Sequence, residues 1–176
     1  MRQILGTKVT FLNGILLNQL ENTKIVEDLI EDVKHIVDNN FVEKKPPLFV
    51  KTTNDMSLND NKNFIKFLDI IKDDLDFYFD KEKYTLINSY GCVYNGESYA
   101  ETHNARHVSG LSGILFCSDE GPGTTFKELS FHCPDKKGRY LLFKPFFYHH
   151  DKKFNYKRDR ITVSFNLDLN PLSAFG

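Results

Sequence analysis

The chain of 176 residues carries a formal net charge of −1, so its charge gives no reason to expect a nucleic acid or an anionic membrane as a partner. Its hydrophobic fraction of 40% excludes a disordered chain and indicates a globular protein long enough to bury a core. No apolar run reaches the roughly 20 residues of a membrane-spanning helix, and the first residues lack the pattern of a signal peptide. The three cysteines, Cys92, Cys117 and Cys133, are expected to be free thiols in a reducing cytoplasm.

The N-terminal half predicts a short strand followed by two helices. The apolar stretch 8–17 is typical of a strand that turns at Asn13-Gly14. Apolar residues at helical spacing predict a first helix over about 23–37, capped by Asn22, and a second over about 61–79. The apolar faces consist of Ile25, Leu29, Val33 and Ile36 in the first helix and Phe64, Phe67, Leu68, Ile71 and Leu75 in the second. Each helix therefore has a stripe that must be buried against another element.

In the C-terminal half, short apolar runs separated by turn residues replace the helical period. The runs are 84–94, 110–117, 124–131, 139–147 and 160–167. Several short strands with turns at near-regular spacing are typical of a β-barrel or β-sandwich. One turn, Gly121-Pro122-Gly123, is not a phosphate-binding loop, because it precedes a strand and no Lys-Ser or Lys-Thr follows it. The sequence thus predicts an α+β fold whose N-terminal helices pack on one face of the sheet.

Four of the six histidines form two pairs that bracket this β-region. The first pair, His103 and His107, lies in Glu101-Thr-His-Asn-Ala-Arg-His-Val-Ser-Gly-Leu-Ser-Gly113. The second pair, His149 and His150, follows Gly138-Arg-Tyr-Leu-Leu-Phe143 and precedes Arg158-Asp-Arg-Ile-Thr-Val-Ser-Phe-Asn166. In this order the motifs resemble those of the iron(II)- and 2-oxoglutarate-dependent oxygenases, in particular small putative enzymes of phages and bacteria. The resemblance covers residues 84–169.

The resemblance implies a double-stranded β-helix, the barrel of jelly-roll and cupin proteins, over residues 84–169. We expect residues 1–176 to form a single domain, in which residues 1–83 supply the strand and the supporting helices. The implied activity is that of a hydroxylase that uses iron(II), O₂ and 2-oxoglutarate as cosubstrate, with ascorbate as an optional reductant. The expected substrate is a small molecule or a protein side chain, and the expected location is the cytoplasm of a bacterium or of a phage-infected host cell.

Oxygenases of this kind hold iron by two histidines and one carboxylate on one face, which leaves positions open for the oxoacid and for O₂. The resemblance assigns His103 as the first ligand. It favours His149 over His150 as the second ligand, because His149 has the spacing from the Leu-Leu-Phe strand that the family shows.

The resemblance also assigns an anchor for the oxoacid, because Arg160 lies at the family's usual spacing after His149. Arg160 would hold the far carboxylate of 2-oxoglutarate with its planar guanidinium fork, helped by Thr162 on the same side of the strand. Arg158 would lie on the same side of the strand as Arg160 and is the second candidate for holding this carboxylate. The alternative role of Arg160 is a salt bridge at the end of the barrel.

The third iron ligand departs from the family pattern. The usual motif is His-x-Asp or His-x-Glu, but Ala105 stands where the carboxylate would be. Three explanations remain open: His107 completes a three-histidine site, Glu101 turns in, or the position is vacant as in the oxoacid-dependent halogenases. Two rival functions follow from this departure. The chain would be a jelly-roll binding or structural module without a metal, or a cupin-like three-histidine enzyme that uses no oxoacid.

Overall fold

The computed structural model describes residues 3–4, 7–8, 10–12, 14–43, 48–79, 84–96, 98–105 and 110–169. The helices are α1 (Lys24–Asn40), α2 (Lys62–Ile70) and α3 (Lys72–Tyr78). The strands are β1 (Gln3–Ile4), β2 (Thr7–Lys8), β3 (Thr10–Leu12), β4 (Ile15–Gln19), β5 (Val42–Glu43), β6 (Leu48–Phe49), β7 (Lys51–Thr52), β8 (Tyr84–Gly96), β9 (Tyr99–His103), β10 (Leu111–Phe116), β11 (Thr124–Phe126), β12 (Phe131–Cys133), β13 (Arg139–Phe143), β14 (His149–Asp151) and β15 (Tyr156–Leu169). The α+β class predicted from the sequence is confirmed.

Two antiparallel sheets form the body of the protein. The larger sheet has the strand order β3-β4-β13-β10-β15-β8-β7-β5, and the smaller has the order β12-β11-β14-β9-β6. Ile114 and Phe143 of the larger sheet share one apolar cluster with Phe126 and Cys133 of the smaller. The sheets therefore pack face to face and enclose an interior between them.

The helices cover the outer face of the larger sheet. The rings of Phe64 and Phe67 in α2 lie 5.6 Å and 5.9 Å from the ring of Phe165 in β15. The buried residues of α1 are Ile25, Val26, Leu29, Val33 and Val37. Ile36, which the sequence placed on this face, is only half-buried, and the second predicted helix is divided at Ile71 into α2 and α3. The apolar faces of the helices are nevertheless buried against the larger sheet, as the sequence predicts.

Strand β15 separates the helix-packed core from the barrel interior. Alternate residues of a strand face opposite sides of its sheet. The side chains that join the core under the helices are Ile161, Val163, Phe165 and Leu167. The side chains between them, which face the interior, are Arg160, Thr162, Ser164 and Asn166. The polar residues of the C-terminal motif therefore line one row inside the barrel.

The contact between α1 and β8 depends on a glycine. A Cβ atom at Gly91 would lie 2.5 Å from both γ-carbons of Val33, closer than real atoms approach. We expect Gly91→Ala to lower the free energy of unfolding by about 1–3 kcal/mol, measured by urea denaturation. Val33→Ala makes room for the added methyl group, so the double variant should be less destabilised than the sum of the two single variants. Strict additivity would contradict the proposed clash.

Candidate metal centre

His103 and His149 face each other where β9 pairs with β14. The two residues are direct partners in the strand register, and their ring centroids lie 4.4 Å apart. His149 is buried and also packs against the rings of Phe126 and Phe143. Strand pairing thus brings together two histidines that are far apart in the sequence, as the resemblance requires of iron ligands.

Both imidazoles are held in the same tautomer. Nδ1 of His103 lies 2.7 Å from the carbonyl oxygen of Glu101, and Nδ1 of His149 lies 3.1 Å from the carbonyl oxygen of Phe147. A carbonyl oxygen only accepts hydrogen bonds, so each Nδ1 must carry the proton and donate it. In the neutral form of either ring, Nε2 is then the nitrogen that keeps its lone pair. Metal-binding histidines are commonly oriented by this type of hydrogen bond.

The environment of His149 keeps its ring neutral. Burial, and next the neighbouring His103, lower the pKa of His149 to about 4. At pH 7 the ring therefore has no proton on Nε2 that a metal would have to displace.

The low pKa of His149 predicts a pH-dependent stability of the metal-free protein. The unfolded chain protonates His149 near its ordinary pKa of 6.5, whereas the folded protein takes up this proton only near 4. Between these values the unfolded state binds more protons, so stability falls as the pH falls, by roughly 3 kcal/mol for this group. Urea unfolding from about pH 7 to about pH 4 measures the loss. A His149→Gln variant should lose less stability over the same range, and an equal loss in both proteins would contradict the prediction.

His150 lies on the opposite side of β14. Its Cα pairs with Thr125 of β11, and its side chain lines an outer groove together with Glu101 and Lys152. The structure therefore places His149, and not His150, beside His103. It also places Glu101, one candidate for the third ligand, at that outer groove, where its side chain is exposed.

Among the described residues, Ala105 stands where the family motif has its carboxylate, and the acidic residue that lines the same cavity as His103 and His149 is Asp55. Ala105 lines the same cavity as His103 and His149, and its backbone N–H donates to the carbonyl oxygen of Pro145 at 2.8 Å. His107, the favoured third ligand, lies outside the described residues, so its assignment stays a prediction. Within the described ranges no three His, Cys, Asp or Glu side chains come together as a metal cage.

A cavity of about 210 Å³ opens beside the two histidines. Its far wall is a relay of neutral side chains that joins three strands. The hydroxyl group of Ser112 donates to Oδ1 of Asn166 at 2.6 Å, and Nδ2 of Asn166 donates to Oδ1 of Asn88 at 2.8 Å. The cavity thus offers hydrogen-bonding groups within reach of a metal held by the histidines.

Arg160 lies on the other side of the histidines, in a network of charges. Its side chain is fully buried. Its Nε donates to Asp135 at 2.9 Å, its Nη1 donates to Asp151 at 2.8 Å, and its guanidinium group lies 4.5 Å from the ring centre of Tyr94. Asp151 also accepts hydrogen bonds from the hydroxyl groups of Tyr94 at 2.8 Å and Thr124 at 2.7 Å.

The charges of this network stabilise one another. Burial alone would raise the pKa of the Asp151 carboxyl, but the charge of Arg160 and the three donated hydrogen bonds lower it below its ordinary value. Burial would likewise lower the pKa of Arg160, but Asp151, Tyr94 and Asp135 raise it well above its ordinary value. Both groups of the Arg160–Asp151 pair are therefore charged at neutral pH.

The sequence did not predict Asp151 and Asp135 as partners of Arg160. It indicated a salt bridge only as the alternative role of Arg160, and the structure shows two. A signal for Asp151 was present, because Asp151 lies two residues after His149 and therefore on the same side of the strand. The assignment of Arg160 and Thr162 to an oxoacid stays a prediction.

Solved structures with a similar fold include two prolyl hydroxylases and a protein with bound 2-oxoglutarate and nickel. The viral collagen prolyl hydroxylase of Paramecium bursaria Chlorella virus-1, in complex with 2-oxoglutarate, is 14% identical, with a TM-score of 0.63 over 86% of this chain and 94% of that one. A prolyl-4-hydroxylase of Pseudomonas putida is 10% identical, with a TM-score of 0.68 over 89% and 93%. HygX of Streptomyces hygroscopicus, with nickel and 2-oxoglutarate bound, is 11% identical, with a TM-score of 0.69 over 90% and 84%.

The chain therefore has the fold of the iron(II)- and 2-oxoglutarate-dependent oxygenases, and the double-stranded β-helix predicted from the sequence is confirmed. No protein-family model and no curated protein matches the sequence. In the part of the chain that the structure describes, no helix has the length and apolar character needed to cross a membrane.

Proposed function

We propose that the chain is a non-haem iron(II) oxygenase of the hydroxylase type that uses a 2-oxoacid as cosubstrate. The observation that carries the proposal is the pair formed by His103 and His149, whose Nδ1 atoms are held by backbone carbonyl groups so that each Nε2 is the ring nitrogen available for a metal beside a cavity. The two imidazoles fit two of the three positions of a facial iron site. When bound, iron(II) would supply the redox chemistry by which O₂ is activated.

The chain's own residues would orient the metal ligands and limit the access of water. The carbonyl groups of Glu101 and Phe147 hold the imidazole rings in the orientation that exposes Nε2. The packing of Phe126 and Phe143 around His149 limits the access of water. In the overall reaction, one oxygen atom of O₂ enters the carboxylic acid formed when the oxoacid loses CO₂, and the other enters a C–H bond of the substrate.

The substrate class follows only from the neighbours and is part of the proposal. Two of the neighbours are prolyl hydroxylases, and another structure of HygX contains hygromycin B. A protein side chain and a small molecule are therefore both candidates, as the sequence predicts.

A second candidate function is a non-catalytic jelly-roll module. It is favoured by Ala105, which puts a methyl group in the cavity wall where the family has a carboxylate. Anaerobic calorimetry with iron(II) and then with an oxoacid, followed by measurement of CO₂ after O₂ is admitted, separates the two functions. The oxygenase should bind one metal, should then bind an oxoacid with visible charge-transfer absorption, and should release CO₂. Protein that binds neither metal nor oxoacid would be the non-catalytic module.

Whether the third ligand position is vacant can be tested by placing a carboxylate at residue 105. Ala105→Asp adds a hard anionic ligand beside His103 and His149, and we expect it to tighten iron(II) by about tenfold or more. Ala105→Asn has nearly the same size without the charge, and it should tighten the metal much less. Calorimetric titration of the three proteins measures the effect. Weaker binding by Ala105→Asp would instead point to His107 as a ligand that the new carboxylate crowds.

A further inference from the structure

The far carboxylate of a dicarboxylic oxoacid needs a buried cation in this barrel. Such a ligand would use its 2-oxo group and first carboxylate at the metal and would bring its second carboxylate into the interior. Among the described residues, the two cavities that flank His103 and His149 are lined by no Lys or Arg. Of the cations that the structure describes, Arg160, just beyond the smaller cavity, is the one on which such a ligand would depend.

Most of the hydrogen-bonding capacity of Arg160 is already used within the chain. Nε and Nη1 are paired with Asp135 and Asp151, and the face of the guanidinium group lies on Tyr94. Only Nη2 has no hydrogen-bond partner among the described residues, and it is sealed from solvent. One guanidinium and two carboxylates also give the cluster a formal charge of one negative. A further carboxylate would be repelled here unless one of the two aspartates moved away.

The pairing with Asp135 is fixed by a tight turn. The backbone N–H of Gly123 donates to Asp135 at 2.8 Å. A Cβ atom at Gly121 would lie 2.2 Å from the carboxylate of Asp135 and 2.8 Å from Cδ of Arg160, so only glycine lets the turn close over this pair. Together with the three hydrogen bonds to Asp151, the turn indicates that both ion pairs are part of the folded architecture.

The space between the histidines and this cluster is too small for a dicarboxylate. The cavity bounded by His149, Asp151, Tyr94 and Thr162 has a volume of about 20 Å³. That volume holds roughly one water molecule. The cavity of about 210 Å³ on the other side of the histidines is lined by the neutral relay of Ser112 and Asn166 and by Asp55, and none of these side chains neutralises a carboxylate.

We infer that Asp151 occupies the place of the second carboxylate of 2-oxoglutarate, so that the oxoacid accepted by this chain is a monocarboxylate with a short neutral tail. This inference rests on the proposed function and names its cosubstrate class. A short 2-oxoacid still presents the 2-oxo group and carboxylate that chelate a metal. Its tail needs no cation and fits the cavity beside the neutral relay.

The test compares two oxoacids on metal-loaded protein without O₂, where binding is measured by calorimetry and by charge-transfer absorption. The wild type should bind 2-oxobutyrate at least as tightly as 2-oxoglutarate. Asp151→Asn keeps the size of the side chain but frees Arg160 from one charge, and it should tighten 2-oxoglutarate about tenfold or more while 2-oxobutyrate changes by less than about twofold. If the variant does not fold, the comparison of the two oxoacids on the wild type alone decides.

The outcomes separate this inference from the proposed function. Wild-type protein that binds metal and prefers 2-oxoglutarate by about tenfold or more would overturn the inference and leave the oxygenase standing. Metal-loaded protein that binds neither oxoacid would overturn both. Failure to bind the metal itself, before any oxoacid is added, would overturn the proposed function and the inference with it.

Discussion

His149→Ala should abolish the binding of iron(II) or of its surrogate cobalt(II). The variant removes one of the two imidazoles that the β9–β14 pairing brings to a centroid distance of 4.4 Å, and only His103 would remain in that pair. Loss of a group that merely orients a ligand costs about 10–100-fold in affinity, and loss of the ligand itself costs more. Calorimetry and the visible spectrum of the cobalt(II) protein measure the loss.

His150→Ala is the matched control. It removes the same side chain from the neighbouring position, but His150 faces the outer groove. Metal affinity should stay within about twofold of the wild type, because no ligand is lost. Equal effects of the two variants, or a larger effect of His150→Ala, would contradict the assignment of His149 as the ligand.

Much of the fold could be predicted because it depends on periodicity. The change from helical spacing to short runs separates the helices from the barrel, and the turn at Gly14 joins β3 to β4 with a positive φ of 87°. Strands β9 and β14 are absent from the apolar runs of the sequence, and only the resemblance placed His103 at the end of a strand. They are short, and the sequences Tyr-Ala-Glu-Thr-His and His-His-Asp have no apolar alternation, because their inward side chains belong to the candidate site.

The candidate site could be predicted only in part. The positions of His103 and His149 followed from motif spacing, because strand register preserves such spacing. For the aspartates that pair with Arg160, the only signal was the position of Asp151 two residues after His149. Asp135 lies in a segment that has the residue types of a turn, and a turn aspartate cannot be distinguished from a buried one until the fold brings a cation to it. The ion pairs are therefore a property of the tertiary structure.

Arg160→Met should strongly destabilise the fold. A role in ligand binding alone predicts weaker oxoacid binding by a protein of unchanged stability, which is what the sequence indicates. The structure changes this expectation, because removal of the guanidinium group leaves the buried carboxylates of Asp135 and Asp151 without their cation. Breaking a buried pair in this way costs about 3–5 kcal/mol, a large part of the stability of a typical domain. Urea and thermal unfolding of ligand-free protein measure the loss.

Two further variants test whether the loss of stability comes from the unpaired carboxylates. Arg158→Met removes an exposed arginine two positions away on β15 and should change stability by less than about 0.5 kcal/mol. Adding Asp151→Asn to Arg160→Met removes one of the stranded charges, so the double variant should recover part of the lost stability. If Arg160→Met is as stable as Arg158→Met, the two ion pairs do not support the fold. Arg160 would then not be needed for the fold, and its guanidinium group would be available to a ligand.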